Sequence, residues 1–489
     1  MRIAWVLTLA LGGVLAQTGA AQDAKTVIAN ASKTMGVDGL NSIEYDGVAQ
    51  NGNLGQNNNA NQPWPMAGAN DYVRAIDFNQ PASRATWMNY AVPVTGGVAS
   101  LTPGQQNITP QNTAWAQQLE IWITPWGFLK GAAANGATVK AQIIGSKRFE
   151  VVTFNAPVKS PGGQPYKVVG FIDGKNLVEK VQTWVENPIF GDMLVEADYT
   201  FYRDGANGIK FPAQIVQKRG GWPTFSAYIL GAHPNPPSIQ QLLTAPAGGR
   251  GGPGGPGGPG GGTPPEATAE KLADGVYRIH GPYNSLAVEF ADYILLFEPG
   301  PQHEARAQAV IAETKRVIPD KPIRYGVISH HHFDHTSGLP AVVAEGITIV
   351  TPEVNREFLM TALSAPRTLA PDSLSKSGKK PVIEGFQGEK RVFEDATRTF
   401  EVHVIKGLPH ADGLVVGYLP KEKILVYADM FNLPPPSDPV PNPPVVGTMV
   451  FVDNIERLGL QPERIMSIHS LNPDRLTTLA EIKASLGRK

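Results

Sequence analysis

The sequence predicts two folded domains of different class, the first mainly antiparallel β with a few helices, the second α/β. Three observations carry this. A run at 248–262, "GGRGGPGGPGGPGGG", has no apolar side chain to anchor it in a core and divides the chain. Before it, alternating and aromatic-rich runs separated by Gly and Asn read as strands. After it, short apolar runs alternate with segments of helical periodicity, the pattern of strands buried between helical layers. Apolar residues at 42% against 17% charged place the chain among folded globular proteins rather than disordered ones.

The chain opens with one Arg ahead of an apolar run from Ile3 to Leu15, and Gly19 and Ala21 supply small residues for a cleavage site. Residues 1–22 therefore read as a signal peptide, too short in its apolar part to span a bilayer comfortably. With no cysteine anywhere, neither a lipidated cysteine nor a disulfide is available. A secreted or periplasmic protein, soluble once the signal is removed, is the expectation. The rest of the chain divides into a β-rich domain at 23–247, a Gly/Pro-rich linker at 248–268 and a second domain at 269–489, each domain large enough for its own core. A net charge of -1 gives no electrostatic footprint for nucleic acid, so the expected partner is a small-molecule substrate.

In the first domain "KTVIANASKTMG" reads as a short helix, followed by an Asn-rich turn region, "QNGNLGQNNNANQPWPMAG". "DYVRAIDF", "SRATWMNYAV", "TVKAQIIG", "RFEVVTF" and "YKVVGFID" are strand signals, and "RDGANG" fits a hairpin with glycines at positive φ. The stretch 115–136 reads as a helical insert or a cover on a curved sheet, with Trp115, Trp122 and Trp126 either packed in a core or lining a cleft for an apolar ligand or partner. No histidine precedes His233, so this domain lacks the residue most useful for zinc chemistry. Its pattern resembles the half-barrel domains of periplasmic lipoprotein carriers, which implies an envelope lipid or protein as a partner.

The second domain begins with three strand signals, "GVYRIHG", "LAVEF" and "YILLFEPG", then a helix in "HEARAQAVIAETKRVI". The apolar strand "IRYGVIS" then runs into "HHHFDH", which places four of the ten histidines within residues 330–335. In extended chain His330 and His332 point the same way and His331 the other. Two imidazoles can then grip one ion, while Asp334 and His335 reach a second. A catalytic zinc usually takes three protein ligands and keeps one position open, so each site needs help from elsewhere. His410 in "GLPHADG", Asp429 in "VYADMF" and His469 in "MSIHS" each follow an apolar run, as expected where loops at one edge of a buried sheet converge.

These residues carry a resemblance. Residues 269–489 resemble the metallo-beta-lactamase superfamily of metallohydrolases, whose signature His-x-His-x-Asp-His stands here as His330, His332, Asp334 and His335. The resemblance implies a four-layer αββα sandwich. It implies that His410 completes a first metal site, that Asp429 bridges both metals and that His469 completes the second. Where the family often has Gly-His-Gly around the last histidine, this chain has Ile468 and Ser470. Glu298 ends a strand where the family often has a supporting aspartate; it either serves that role or faces solvent. His331 is expected to bond away from the metals, and His280, His303 and His403 to be structural or on the surface.

The function these readings imply is an exported zinc-dependent hydrolase with two Zn2+ per chain, using a metal-bound hydroxide that Asp334 ligates and orients. A cyclic amide or ester suits an exported enzyme, although no residue selects between them and the fold serves many bond types. Iron is the alternative metal, because the superfamily includes a sulfur dioxygenase. A third reading is an envelope-binding protein whose metal domain is vestigial. The seven prolines between Asn432 and Val445 either wall the cleft or space a strand from the helix after it.

Overall fold

The computed structural model describes residues 23–91, 100–244, 267–433 and 439–488. The expected signal peptide, most of the expected linker and the start of the proline-rich loop lie outside them. Among the described residues no helix is long and apolar enough to cross a membrane.

The first domain is one eleven-stranded antiparallel sheet. Its central strands, Ser42–Gly52 and Trp222–Pro234, pair the start of the domain with its end, and hairpin meanders run outward to the edges at Ser100–Ile108 and Thr138–Ile144. Helices Ala24–Met35, Trp115–Trp122 and Pro125–Ala134 cover one face, in keeping with the few helices that the sequence predicts. Their apolar sides, including Val27, Ala31, Leu119 and Phe128, join Tyr45, Tyr72, Val181 and Tyr199 of the sheet in one core. Trp115 and Trp126 are buried in that core, with indole N–H groups donated to Thr183 Oγ1 at 2.9 Å and Lys210 O at 3.1 Å. Thr124 caps the third helix by accepting from Gly127 N, and Pro125 stands in its first turn, where a missing N–H costs nothing.

The second domain has two sheets. Strands Thr268–Ala273, Val276–His280, Ser285–Glu289 and Ile294–Phe297 are antiparallel, and Ile323–Val327, Thr348–Pro352 and Ile383–Phe386 extend that sheet in parallel. The other sheet runs Lys390–Glu394, Thr399–Val404, Val415–Leu419, Ile424–Tyr427 and Arg464–Ser467. Period-2 alternation explains the uninterrupted apolar runs. Leu295, Val415 and Val426 point into the space between the sheets, whereas Leu296, Val416 and Leu425 point outward under helices. Helices Glu304–Val317, Leu339–Glu345 and Glu353–Leu363 cover one outer face, Val446–Leu458 and Leu479–Ala484 the other, so the layers are αββα as expected.

The two domains are in close contact. Trp64, Ile189 and Phe190 of the first pack with Phe333, Phe358 and Ala362 of the second. Buried Arg367 donates to Pro188 O at 2.9 Å and Ile189 O at 2.6 Å, and Asp192 accepts from Leu369 N and Thr368 Oγ1.

Candidate metal centre

All the candidate residues sit at one end of the second domain's sheets. Glu298 follows strand Ile294–Phe297, the histidine cluster follows Ile323–Val327, Asp429 follows Ile424–Tyr427 and His469 follows Arg464–Ser467. His410 lies in the loop that enters Val415–Leu419. Phe333–Thr336 forms a single helical turn, which swings Asp334 and His335 away from His330 and His332.

Two groups result. His330, His332, His410 and Asp429 form one, and Asp334, His335, His469 and Asp429 the other; within each, one candidate ligand atom per residue lies within 4.8 Å of every other. Asp429 is the shared member. Its Oδ2 stands 2.6 Å from His335 Nε2, 3.1 Å from His330 Nε2 and 3.5 Å from His410 Nε2, while its Oδ1 contacts His469 Nε2. The Nε2 atoms of His330 and His410 are 3.3 Å apart, as are those of His335 and His469. Ring nitrogens that face each other at this distance need a proton or a cation between them. His332 Nδ1 is buried with no partner, a lone pair aimed at the same group.

The electrostatics point the same way. Burial, helped by the neighbouring charge of His335, pushes His330 down to about 4, and burial with the adjacent imidazoles lowers His332 too, so both present neutral lone pairs at neutral pH. His335 behaves oppositely. Burial disfavours its charge, but Asp429, Glu298 and Asp334 around it raise it well above the ordinary histidine range. Burial alone would raise Asp334 and Asp429, yet His335 holds both well below the usual carboxylate range. Three carboxylates around one buried imidazole make a site that suits divalent cations.

The surrounding shell is also built. Glu298, fully buried, lies 3.2 Å from His335 Nδ1, which leaves Nε2 for the centre. Asp429 and Glu298 both adopt left-handed backbone, at φ 50° and 62°, which is costly for residues with a Cβ and is found where geometry is held for function. His331 turns away as expected, its Nε2 2.8 Å from Asn57 O. His303 caps the helix Glu304–Val317, His280 pairs with Glu270 and Asp474, and His403 pairs with Glu401.

Three neighbours escape a reading of the sequence. Tyr283 donates its hydroxyl to Asp334 Oδ2 at 2.9 Å, and its ring lies 4.3 Å from that of His469; the stretch "HGPYNS" carries no spacing that marks it. Gln56 donates to Asp334 Oδ1 at 2.8 Å and Asn57 O lies 2.9 Å from His332 Nε2, both from the other domain. Their only signal is an unusual run of amides.

Residues 278–485 match the family model described as metallo-beta-lactamase superfamily. No curated protein matches the chain. Among solved structures, a metallo-beta-lactamase from Pontibacter korlensis aligns at 17% identity over 45% of this chain and 98% of its own, with a TM-score of 0.33. A B3 metallo-beta-lactamase with an active-site glutamic acid aligns at 14% identity over 46% of this chain and 87% of its own, with a TM-score of 0.31. Matched over 278–485 and carrying two adjoining His/Asp metal-binding groups at its strand ends, the C-terminal domain belongs to the metallo-beta-lactamase superfamily.

Proposed function

We propose that the protein is an exported hydrolase with two zinc ions per chain, acting on a cyclic amide or ester. One observation carries this reading: the donor atoms of seven side chains converge as two groups that share Asp429. Imidazole and carboxylate donors without cysteine suit zinc in a catalytic rather than a structural setting. His330, His332 and His410 would hold the first ion, and Asp334, His335 and His469 the second, with Asp429 touching both. Ions bound there supply acidification of a water toward neutral pH and polarisation of the substrate's oxygen.

The remaining work belongs to the chain itself. Asp334, with Oδ1 held by Gln56 and Oδ2 by Tyr283, is placed to orient the attacking water. Burial and the charge of Asp334 raise the Tyr283 hydroxyl above its ordinary range, so it stays protonated and keeps its hydrogen bond to Asp334. Glu298 fixes the His335 ring. Export rests on the character of residues 1–22, and the open eleven-stranded sheet with helices on one face supports the likeness to carrier half-barrels and an envelope lipid or protein as a further partner.

The test is elemental analysis of purified wild type and His410→Ala, alongside hydrolysis of β-lactam and lactone reporters before and after chelation. Two zinc ions in wild type, about one in the variant, and turnover abolished by chelator are expected. Iron with oxygen consumption would favour a sulfur dioxygenase. A protein that takes up no metal would favour an envelope-binding role with a vestigial metal domain.

A further inference from the structure

The Asn-rich loop between strands Ser42–Gly52 and Met66–Asp77 belongs to the first domain by sequence and to the metal centre by position. It wires itself with amides. Asn57, 1% exposed, donates from Nδ2 to Asn59 O at 2.6 Å and Gln62 O at 2.9 Å, and Asn61 N donates to Asn59 Oδ1 at 2.9 Å. It then docks on the second domain through backbone. Phe333 N donates to Gly55 O at 3.2 Å and Asp412 N to Asn58 O at 2.6 Å, while Asn59 Nδ2 donates to Asp412 Oδ2 at 3.0 Å. Gly55 lies so close that a Cβ would stand 2.3 Å from the Phe333 ring, and its φ of 83° favours glycine independently.

What the loop delivers is specific. A backbone carbonyl can only accept, so Asn57 O, placed 2.9 Å from His332 Nε2 and 2.8 Å from His331 Nε2, puts the proton of each ring on Nε2. For His332 that leaves Nδ1 as the bare lone pair, and Nδ1 is the buried atom without a protein partner. Gln56 Nε2 does the corresponding job for Asp334, engaging Oδ1 and leaving Oδ2 on the side of His335 Nε2, 3.3 Å away.

Resting on the hydrolase reading, we infer that the metal centre is completed by the N-terminal domain, with Gln56 and Asn57 as positioning residues for the second and first metal respectively. Residues that hold a ligand in place typically change metal affinity about 10- to 100-fold when removed. The two contacts go to different groups, so their loss should separate. The domains then act as one catalytic unit rather than as a binding module tethered to an enzyme.

The experiment uses the full chain, loaded with Zn2+ or Co2+, and reads both dissociation constants by competition with a chromophoric chelator together with the Co2+ absorption bands. Gln56→Leu should weaken the second ion about 10- to 100-fold and shift its bands, with the first ion within about threefold of wild type. Asn57→Ala frees the carbonyl from its side-chain anchors and should weaken the first ion preferentially. Two ions bound equally tightly in wild type and variants, or both weakened alike, would overturn the inference and leave the hydrolase reading standing. A wild type that binds neither ion would overturn both.

Discussion

Phe333 occupies the variable position between His332 and Asp334, yet its ring is packed chiefly by the other domain. It is 1% exposed, with edge-on contacts to Trp64 at 5.8 Å and Phe190 at 5.5 Å between centroids. Truncating a buried Phe to Ala costs about 3–5 kcal/mol, of which about 1–3 kcal/mol belongs here to the two edge-to-face pairs. Because those partners lie across the interface, the loss falls mainly on docking and shifts the docked equilibrium roughly 100- to 4,000-fold. Calorimetry of Phe333→Ala should therefore show the shared unfolding transition divide into two, with the second domain melting about 6–20 °C lower. Phe290→Ala is the control. Phe290 is equally buried but stacks on Tyr293 inside the second domain's inter-sheet core, so that variant should lose stability without dividing the transition. An undivided transition within about 2 °C of wild type for Phe333→Ala would refute the reasoning.

Arg367→Met should destabilise the docked protein by about 2–5 kcal/mol, read as a lower urea midpoint, since it strips hydrogen bonds from Pro188 O, Ile189 O and Asp372 at once; a change below about 0.5 kcal/mol would show that this clamp adds nothing to docking. A pH effect should appear in chelated protein. Burial holds His330 down to about 4 and His331 to about 3, against an ordinary 6.5, so the unfolded chain binds more protons between those values. Their contribution, roughly 3 kcal/mol for His330, is fully present above pH 6.5 and is lost as pH falls through about 4. Urea midpoints of chelated protein should fall steadily across that window, and a flat profile would contradict the burial of neutral imidazoles.

The readable parts of the sequence are those governed by local periodicity and by tight spacing. "IRYGVIS" running into "HHHFDH" announces a strand that delivers imidazoles, because two-residue alternation is enough to separate His330 and His332 from His331. The strands of the first domain are legible from β-branched and aromatic runs, and Trp115 and Trp126 prove to be core. Gln56, Asn57 and Tyr283 are not legible, since each meets the centre through contacts spanning 51 to 278 residues of chain. The break inside the stretch 115–136 is not legible either, since Thr124 and Pro125 restart a helix within one apolar run.

The left-handed backbones of Asp429 and Glu298 set backbone strain against ion pairing at two positions in the chain. Each conformation costs on the order of 1–3 kcal/mol, and glycine would relieve it while deleting a carboxylate from the centre. Glycine at either position would also leave the buried His335 imidazole short of a carboxylate, a loss of about 3–5 kcal/mol that exceeds the relief, so the ion pairs of the centre are what hold both strained backbones in place.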